Sequence, residues 1–177
     1  MKTPHADYPA FYRKIYDTIG ALTPLETDCG RLCGARCCRG GPGDGMLLFP
    51  HEEEALDHAV WRPVAVPEGL FVSCSGVCER ASRPLACRIF PLTPLLGTDG
   101  IVRVAADPGA WRVCPLVRQL GAVRFSRDFV RAVRRAGRLL TRDPDCLREL
   151  KARAEQARDL LRLLDLPDGG LVSGRRF

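Results

Sequence analysis

The residues best suited to chemistry are the nine cysteines, eight of which fall between positions 29 and 114. Cysteine thiolates are preferred ligands of zinc and of the irons in iron–sulfur clusters. Ligands separated by only a few residues close a metal-binding loop at a low entropic cost. We therefore expect a metal centre on the first cysteine run, which consists of Cys29, Cys33, Cys37 and Cys38.

The spacing of this run favours an iron–sulfur cluster over zinc. Cys29, Cys33 and Cys37 recur every four residues, and in a helix such neighbours have Cβ atoms about 5–6 Å apart. Tetrahedral zinc, with Zn–S bonds near 2.3 Å, requires its sulfurs roughly 3.8 Å apart. A cubane cluster holds its corner thiolates farther apart, so a 4Fe–4S cluster is the favoured cofactor. Zinc stays open as the alternative, because a glycine-rich, nonhelical loop is able to wrap a single ion.

The adjacent pair Cys37 and Cys38 is expected to diverge. Neighbouring side chains point about 100° apart in a helix and to opposite faces in a strand. One of the two is therefore expected to serve a different centre, or no centre.

The remaining candidate ligands form a second cysteine group, which consists of Cys74, Cys78, Cys87 and Cys114. They bring the candidate ligands to eight, numerically enough for two four-thiolate sites. One site accompanied by structural or redox thiols is equally consistent. Cys146 falls on the apolar stripe of a predicted helix and is expected to be a buried, non-ligating thiol.

Two arginines flank Cys87 and are candidate cofactor-binding residues. Four thiolates on zinc or on an oxidised cluster leave a net negative site. Arg83 and Arg88 are placed to offset that charge, to donate hydrogen bonds to sulfur and to raise the reduction potential. The alternative is that both arginines are ordinary surface charges.

Two motifs give the chain a family resemblance. The first cysteine run is followed by a short apolar segment and Pro50-His-Glu-Glu-Glu54, and a later segment reads Arg83-Pro-Leu-Ala-Cys87-Arg-Ile-Phe-Pro91. Together they resemble the YkgJ-type cysteine-cluster family, described as zinc- or iron-chelating domains, over about residues 25–115. The resemblance implies metal binding by the cysteines. Flagellin lysine N-methylases share this kind of cluster, which implies a redox or protein-modification accessory role with a protein partner; whether the chain is itself an enzyme stays open.

Length and composition indicate a single globular domain. The chain has 177 residues, of which 46% are apolar and 27% charged, and these fractions are close to those of average globular proteins. The longest apolar runs are far shorter than the roughly 20 residues that span a bilayer. The N-terminal segment lacks the apolar stretch of an export signal. We therefore expect a cytoplasmic protein without a membrane segment, in which thiols stay reduced.

Hydrophobic periodicity predicts the elements that position these residues. An amphipathic helix is expected at 9–22 and two helices at 124–166, with a break at Asp143-Pro144 that serves as the start of the second. A helix from Pro50 to about Val60 and short strands at 46–49, 70–73 and 101–104 are expected between them. The fold class is therefore α+β: a small cysteine-rich metal-binding core at about 25–115, flanked by N- and C-terminal helices within one domain, 1–177.

The first C-terminal helix offers a second functional hypothesis. Its arginines follow helical spacing, with a single acid among them, so one face is expected to be basic: Arg127, Arg131, Arg134 and Arg138, with Arg124, Arg135 and Arg142 nearby and Asp128 as the acid. A noncatalytic, zinc-stabilised module would bind nucleic acid or an acidic protein through this face. The competing interpretation is a solvated face, balanced by the acids of the next helix: Glu149, Glu155 and Asp159.

Overall fold

Short strands alternate with helices in the structure, a computed structural model that describes residues 7–41, 43–76, 78–119, 124–163 and 171–172. The predicted α+β class is confirmed. The helices are α1 (Tyr8–Ile19), α2 (Gly30–Cys33), α3 (Leu85–Ile89), α4 (Ala110–Val113), α5 (Pro115–Arg118), α6 (Arg127–Leu140) and α7 (Pro144–Leu163). The strands are β1 (Gly45–Leu47), β2 (Val64–Val66), β3 (Gly69–Ser73), β4 (Leu92–Leu96), β5 (Val102–Ala106) and β6 (Leu171–Val172), and single 3-10 turns occupy Arg36–Cys38, Glu52–Ala55 and Arg80–Ser82.

The strands form two antiparallel three-stranded sheets, in the orders β1-β3-β2 and β4-β5-β6. The first sheet brings together the two parts of the chain that carry cysteines. Gly45 at the start of β1 pairs with Ser73 at the end of β3, and the backbone N–H of Cys74 donates to the Asp44 carbonyl at 2.9 Å. The exit from the first cysteine run therefore lies beside the entry to the second group.

The main hydrophobic core lies between α1, α6 and the β4–β5 hairpin. Tyr12 and Ile15 of α1 are fully buried in it, as are three side chains of the stripe predicted for α6: Phe129, Val133 and Leu140. Each such side chain contributes about 1.5–3 kcal/mol through burial. A Cβ atom on Gly137 would lie 2.6 Å from the Pro94 Cβ. The backbone of α6 therefore packs directly on β4.

The start of α7 is confirmed as predicted. The Asp143 carboxylate accepts hydrogen bonds from the backbone N–H groups of Asp145 and Cys146, at 3.0 and 2.9 Å. This is N-capping, which satisfies donors that a helix start leaves free. Cys146 is 0% exposed, as its position on the stripe predicts. The later predicted stripe positions, Leu161 and Leu164, and the predicted helix end at 168–170 lie outside the side chains and residues that the structure describes.

The helix predicted from Pro50 to Val60 is wrong. Only the 3-10 turn Glu52–Ala55 forms, because His51 before it is left-handed, with φ 65°, and Leu56 after it is extended, with φ −85° and ψ 150°. Leu56 packs into a small second core with Trp61 and Val72. Burial of these side chains takes precedence over continuation of the helix.

None of the helices in the described part of the chain combines the length and the apolar composition needed to cross a membrane.

Candidate metal centre

Two short elements carry the first cysteine run. Cys29 is the N-cap of α2 and Cys33 is its last residue, whereas Cys37 and Cys38 belong to the 3-10 turn that follows. Between them the chain takes two left-handed residues in succession, Gly34 with φ 63° and Ala35 with φ 48°. The run is therefore not one continuous helix. The common helical face suggested by the spacing extends only from Cys29 to Cys33.

The sulfurs of Cys37 and Cys38 lie close together, 3.8 Å apart. The prediction that this pair diverges is therefore wrong, because the tight turn brings both side chains to one side. The separation is far longer than the roughly 2.05 Å of a disulfide bond. It matches the roughly 3.8 Å between two sulfurs on a tetrahedral zinc ion. Both thiols are consequently able to reach the same metal.

Two glycines hold the first cysteine run against the second group. A Cβ atom on Gly40 would lie 2.4 Å from the backbone nitrogen of Gly76, and a Cβ atom on Gly76 would lie 2.3 Å from the Arg39 carbonyl oxygen. Both glycines also have positive φ, 68° and 85°, a conformation that other residues adopt at a cost. The backbone after Cys38 thus touches the backbone after Cys74, and only glycine fits at the two positions.

Replacing Gly76 with alanine is expected to separate the two cysteine loops. The strain of a positive φ adds to a direct clash with the backbone, so the free energy of unfolding should fall by more than about 2 kcal/mol and metal retention should fall with it. Urea denaturation and metal analysis measure the two effects.

Gly43→Ala is the matched control for this substitution. Gly43 also has a positive φ, 81°, but an added Cβ atom would meet nothing within 4 Å. We expect a smaller loss of stability and full metal content in this variant. Equal losses of stability and of metal in the two variants would show that the contact between the two cysteine loops does not support metal binding.

Five of the eight candidate ligands line a single cavity of about 220 Å³: Cys37, Cys38, Cys74, Cys78 and Cys87. We call it the thiol cavity. Cys37 is exposed at its rim, and the other four are half-buried. Trp61, Val72 and Phe90 supply apolar wall, and Asp44 and Asp107 are the carboxylates beside it. Thiols from both parts of the sequence therefore converge, as a shared metal centre requires.

The other three candidate ligands are not part of the cavity lining. Cys114 is 6% exposed and belongs to the main hydrophobic core, against which Cys29 also packs. The electrostatic neighbours of Cys29 include Cys33 and Cys114, so these three thiols lie together near α2. Cys29 and Cys33 are also electrostatic neighbours of Cys37, which connects them to the rim of the cavity. Among the residues that the structure describes, no three cysteine sulfurs lie within 4.8 Å of one another. The thiols are gathered, but not at the spacing of a ready-made zinc site.

Arg83 lies on the wall of the thiol cavity. Its Nη2 atom donates to the Cys78 carbonyl at 3.5 Å, and Cys38 and Cys87 are also among its charged neighbours. The Arg83 Nε atom is buried and has no hydrogen-bond partner within the described part of the chain. An unsatisfied buried donor is costly. An anionic metal–thiolate group in the cavity would balance the charge of the Arg83 guanidinium and accept a hydrogen bond from its Nε atom.

Arg88 is placed differently from the prediction. Its side chain is buried and donates to the carbonyl of Arg83, at 2.6 Å, and to that of Ala81. Its guanidinium carbon lies 4.2 Å from the centre of the Tyr16 ring, a cation–π contact. Arg88 therefore faces α1 rather than a sulfur, and its contacts hold the loop that carries Arg83.

The thiols of the cavity differ in their acidity. Burial, reinforced by the neighbouring Cys74, Cys38 and Cys78, raises the pKa of the Cys87 thiol to about 12. A hydrogen bond from Cys37 lowers the pKa of the Cys38 thiol, and the charge of Arg83 acts in the same direction. Metal ions bind the deprotonated form and release its proton. The Cys37–Cys38 pair would therefore release a proton to a metal more readily than Cys87, whose ionisation is opposed by burial.

Glu52 positions the helix that carries Cys87, and sequence reasoning missed it. This carboxylate is 0% exposed and accepts hydrogen bonds from the Tyr16 hydroxyl at 2.8 Å, from the Phe49 N–H at 3.0 Å and from the Leu85 N–H. It thereby joins α1 to the first residue of α3. In the sequence it is one of three consecutive glutamates, and only the tertiary structure distinguishes it from its neighbours.

Histidine and carboxylate groups at metal-ligand distance occur around His51, together with either Glu53 and Glu54 or Asp143 and Asp145. Two of these carboxylates already have structural roles. Asp143 caps α7, and Asp145 pairs with His51 at 2.7 Å and with Arg148. Hydrogen bonding therefore accounts for Asp143 and Asp145, whereas the Oε2 atom of Glu53 is buried without a hydrogen-bond partner in the described part of the chain. The thiol cavity, which gathers five candidate ligands, is the better candidate centre.

No family model, no curated protein and no solved structure matches this chain.

Proposed function

We propose that the protein holds an iron–sulfur cluster, with a 4Fe–4S cluster favoured, and acts as a redox or protein-modification accessory to a partner protein. The observation that carries this proposal is the convergence of five thiols on one cavity that two arginines, Arg36 and Arg83, also line. A bound cluster would supply one-electron transfer. The resemblance to the YkgJ-type family agrees with this proposal and rests on the residues of its two motifs.

The size of the cavity supports a cluster over a single ion. Its volume of about 220 Å³ is several times the roughly 30 Å³ that one water molecule occupies in the liquid. A lone zinc ion would require four sulfurs to close to roughly 3.8 Å from one another. The wider separation of the thiols suits a cluster, whose corners reach outward to their ligands.

The proposed ligands are four cysteines of the thiol cavity: Cys38, Cys74, Cys78 and Cys87. Cys37 is a further thiol at the rim. Arg83 would offset the negative charge of the ligated centre, and a nearby positive charge raises the reduction potential by favouring the reduced, more negative state. The apolar side chains of the wall would limit the access of water.

A zinc-stabilised module is the second candidate. It is favoured by one observation, the 3.8 Å between the sulfurs of Cys37 and Cys38, which suits two ligands of one zinc ion. In this case the metal would be structural and the protein would have no redox role.

Anaerobic purification followed by iron, acid-labile sulfide and zinc analysis distinguishes the candidates. We expect about four irons and four sulfides per chain and little zinc. About eight of each would indicate a second cluster on the thiols near α2, namely Cys29, Cys33 and Cys114. A colourless protein with stoichiometric zinc and no sulfide would refute the cluster, and a protein free of both metals would refute both candidates.

A further inference from the structure

An exposed row of arginines runs along the outer side of α6. Six arginines are exposed, at steps of three or four residues: Arg124, Arg127, Arg131, Arg135, Arg138 and Arg142. Such steps place residues on one side of a helix, which applies to the four arginines within α6; Arg124 and Arg142 lie just outside its two ends. Arg134, predicted to belong to this face, is only half-exposed. We call the six exposed residues the α6 arginine row.

The positive charge of the protein is concentrated in this segment. Between residues 124 and 142 the chain has seven arginines and one acid, Asp128, which balances to the same +6 as the net charge of the whole chain. The rest of the sequence is therefore neutral overall. A general preference for arginine does not explain this pattern, because arginines elsewhere in the chain are matched by acids.

One of the α7 acids that the competing interpretation requires is paired within its own helix. Glu149 pairs with Arg153 of its own helix at 2.7 Å. Within α6 the ion pair is that of Arg131 with Asp128, at 3.1 Å, and both of its side chains are 71% exposed. Exposed pairs of this kind contribute about 0–1 kcal/mol. Glu26 lies beside the N-terminal part of the row, on a shallow cavity shared with Arg124 and Arg127, and one carboxylate leaves most of the row unbalanced.

The composition of the row indicates the chemistry of its partner. The apolar stripe of α6 is buried in the core, and the large exposed apolar side chains of the described residues lie on other elements. The row therefore lacks the apolar face with which interfacial helices enter membranes and the aromatic anchors typical of protein interfaces. Phe125 and Phe129 are buried, so no ring is available to stack on unpaired bases.

Phosphate groups of a duplex fit this surface. Guanidinium groups bind phosphate through paired hydrogen bonds. The 14 residues of α6 extend over about 21 Å, and the major groove of B-form DNA, about 12 Å wide, admits a helix. We propose that the α6 arginine row binds the phosphate backbone of double-stranded nucleic acid without reading its sequence. This proposal goes beyond the metal centre and does not rest on it.

Fluorescence anisotropy with a labelled DNA duplex tests the proposal on the full chain as purified. Each phosphate contact contributes about −0.9 to the slope of log affinity against log salt concentration. With four or more contacts, affinity should fall at least about 100-fold between 50 and 200 mM salt. The absence of duplex binding at the lower salt concentration would overturn the proposal, as would binding to vesicles of anionic lipid without duplex binding.

Two variants that each remove four positive charges test whether duplex binds at the α6 arginine row. In the first, four arginines of the row become glutamine: Arg127→Gln, Arg131→Gln, Arg135→Gln and Arg138→Gln. In the second, four exposed cations elsewhere are changed: Arg13→Gln, Lys14→Gln, Arg62→Gln and Lys151→Gln. Glutamine preserves helix propensity, and circular dichroism and metal content confirm the fold of both variants.

The two variants are expected to differ clearly. The row variant should bind duplex at least about 100-fold more weakly at 50 mM salt, and its salt slope should be smaller by about 3.6. The control should stay within a few-fold of the unmodified protein. Equal weakening of both variants would overturn the proposal, since diffuse charge would then account for the binding.

Discussion

Replacing Cys87 with alanine is expected to remove most of the bound iron and sulfide while leaving the fold intact. Burial beside other cysteines raises the pKa of the Cys87 thiol. Cys87 also lies on α3, whose first residue, Leu85, donates a backbone hydrogen bond to Glu52. Loss of a ligand should weaken metal affinity by more than about 100-fold, since even groups outside the ligand set contribute 10–100-fold. Metal analysis and far-ultraviolet circular dichroism measure the two outcomes.

Cys146→Ala is the control for a lost thiol. Cys146 is buried, whereas Cys87 is half-buried, and Cys146 lies on α7, where its sulfur contacts the Tyr12 hydroxyl at 3.5 Å and the Pro50 carbonyl at 3.7 Å. This variant should keep its iron and lose only a modest amount of stability. If Cys87→Ala kept its iron, or if both variants lost it alike, the assignment of the thiol cavity would be wrong.

Replacing Glu52 with alanine is expected to have the largest effect on stability. The change would remove the acceptor of three donors: the buried backbone N–H groups of Phe49 and Leu85 and the partly buried Tyr16 hydroxyl. We expect the free energy of unfolding to fall by about 3–5 kcal/mol. Urea denaturation followed by circular dichroism gives the value.

Glu52→Gln separates the role of size from that of the carboxylate. Glutamine fills the same space and keeps one oxygen acceptor, but its amide N–H groups would face the backbone N–H donors. An intermediate loss of stability is therefore expected. A loss below about 1 kcal/mol in the alanine variant, within the range of ordinary substitutions, would mean that Glu52 does not anchor α3.

Sequence periodicity was most informative where an element packs one face on a large core. The stripes of α1, α6 and α7 predicted these helices, because a helix on a core repeats its apolar residues every three to four positions. Asp143 and Pro144 likewise predicted the start of α7 through capping chemistry that is local in sequence. The strands predicted at 70–73 and 101–104 correspond to β3 and β5, shifted by one or two residues.

Elements whose formation depends on distant partners could not be predicted in this way. β4 contains Pro94 in its centre, and proline normally argues against a strand. It is tolerated here because β4 is an edge strand that, among the described strands, pairs with β5 alone, so that the missing N–H need not donate to a second neighbour. Only the sheet topology provides that information.

The site was predictable in its chemistry and not in its arrangement. Cysteine spacing and the arginines near Cys87 predicted the types of candidate ligand, and Arg83 lies on the wall of the thiol cavity. The grouping of thiols depends on the chain reversal at Gly34 and Ala35 and on the contact between Gly40 and Gly76. These features bring together residues that are far apart in sequence, so a pattern read along the chain does not show them.

The separation between the hydrophobic core and the thiol cavity implies an order of assembly. Most of the side chains of the main core belong to α1, α6 and the β4–β5 hairpin. The cavity thiols lie in loops and short turns at the edge of this framework, except for Cys87 on α3. In classical zinc fingers the metal itself drives folding. Here the framework has enough apolar burial to form beforehand, so a metal centre would be delivered to a folded chain through the rim at Cys37, and its loss would leave a folded protein able to be loaded again.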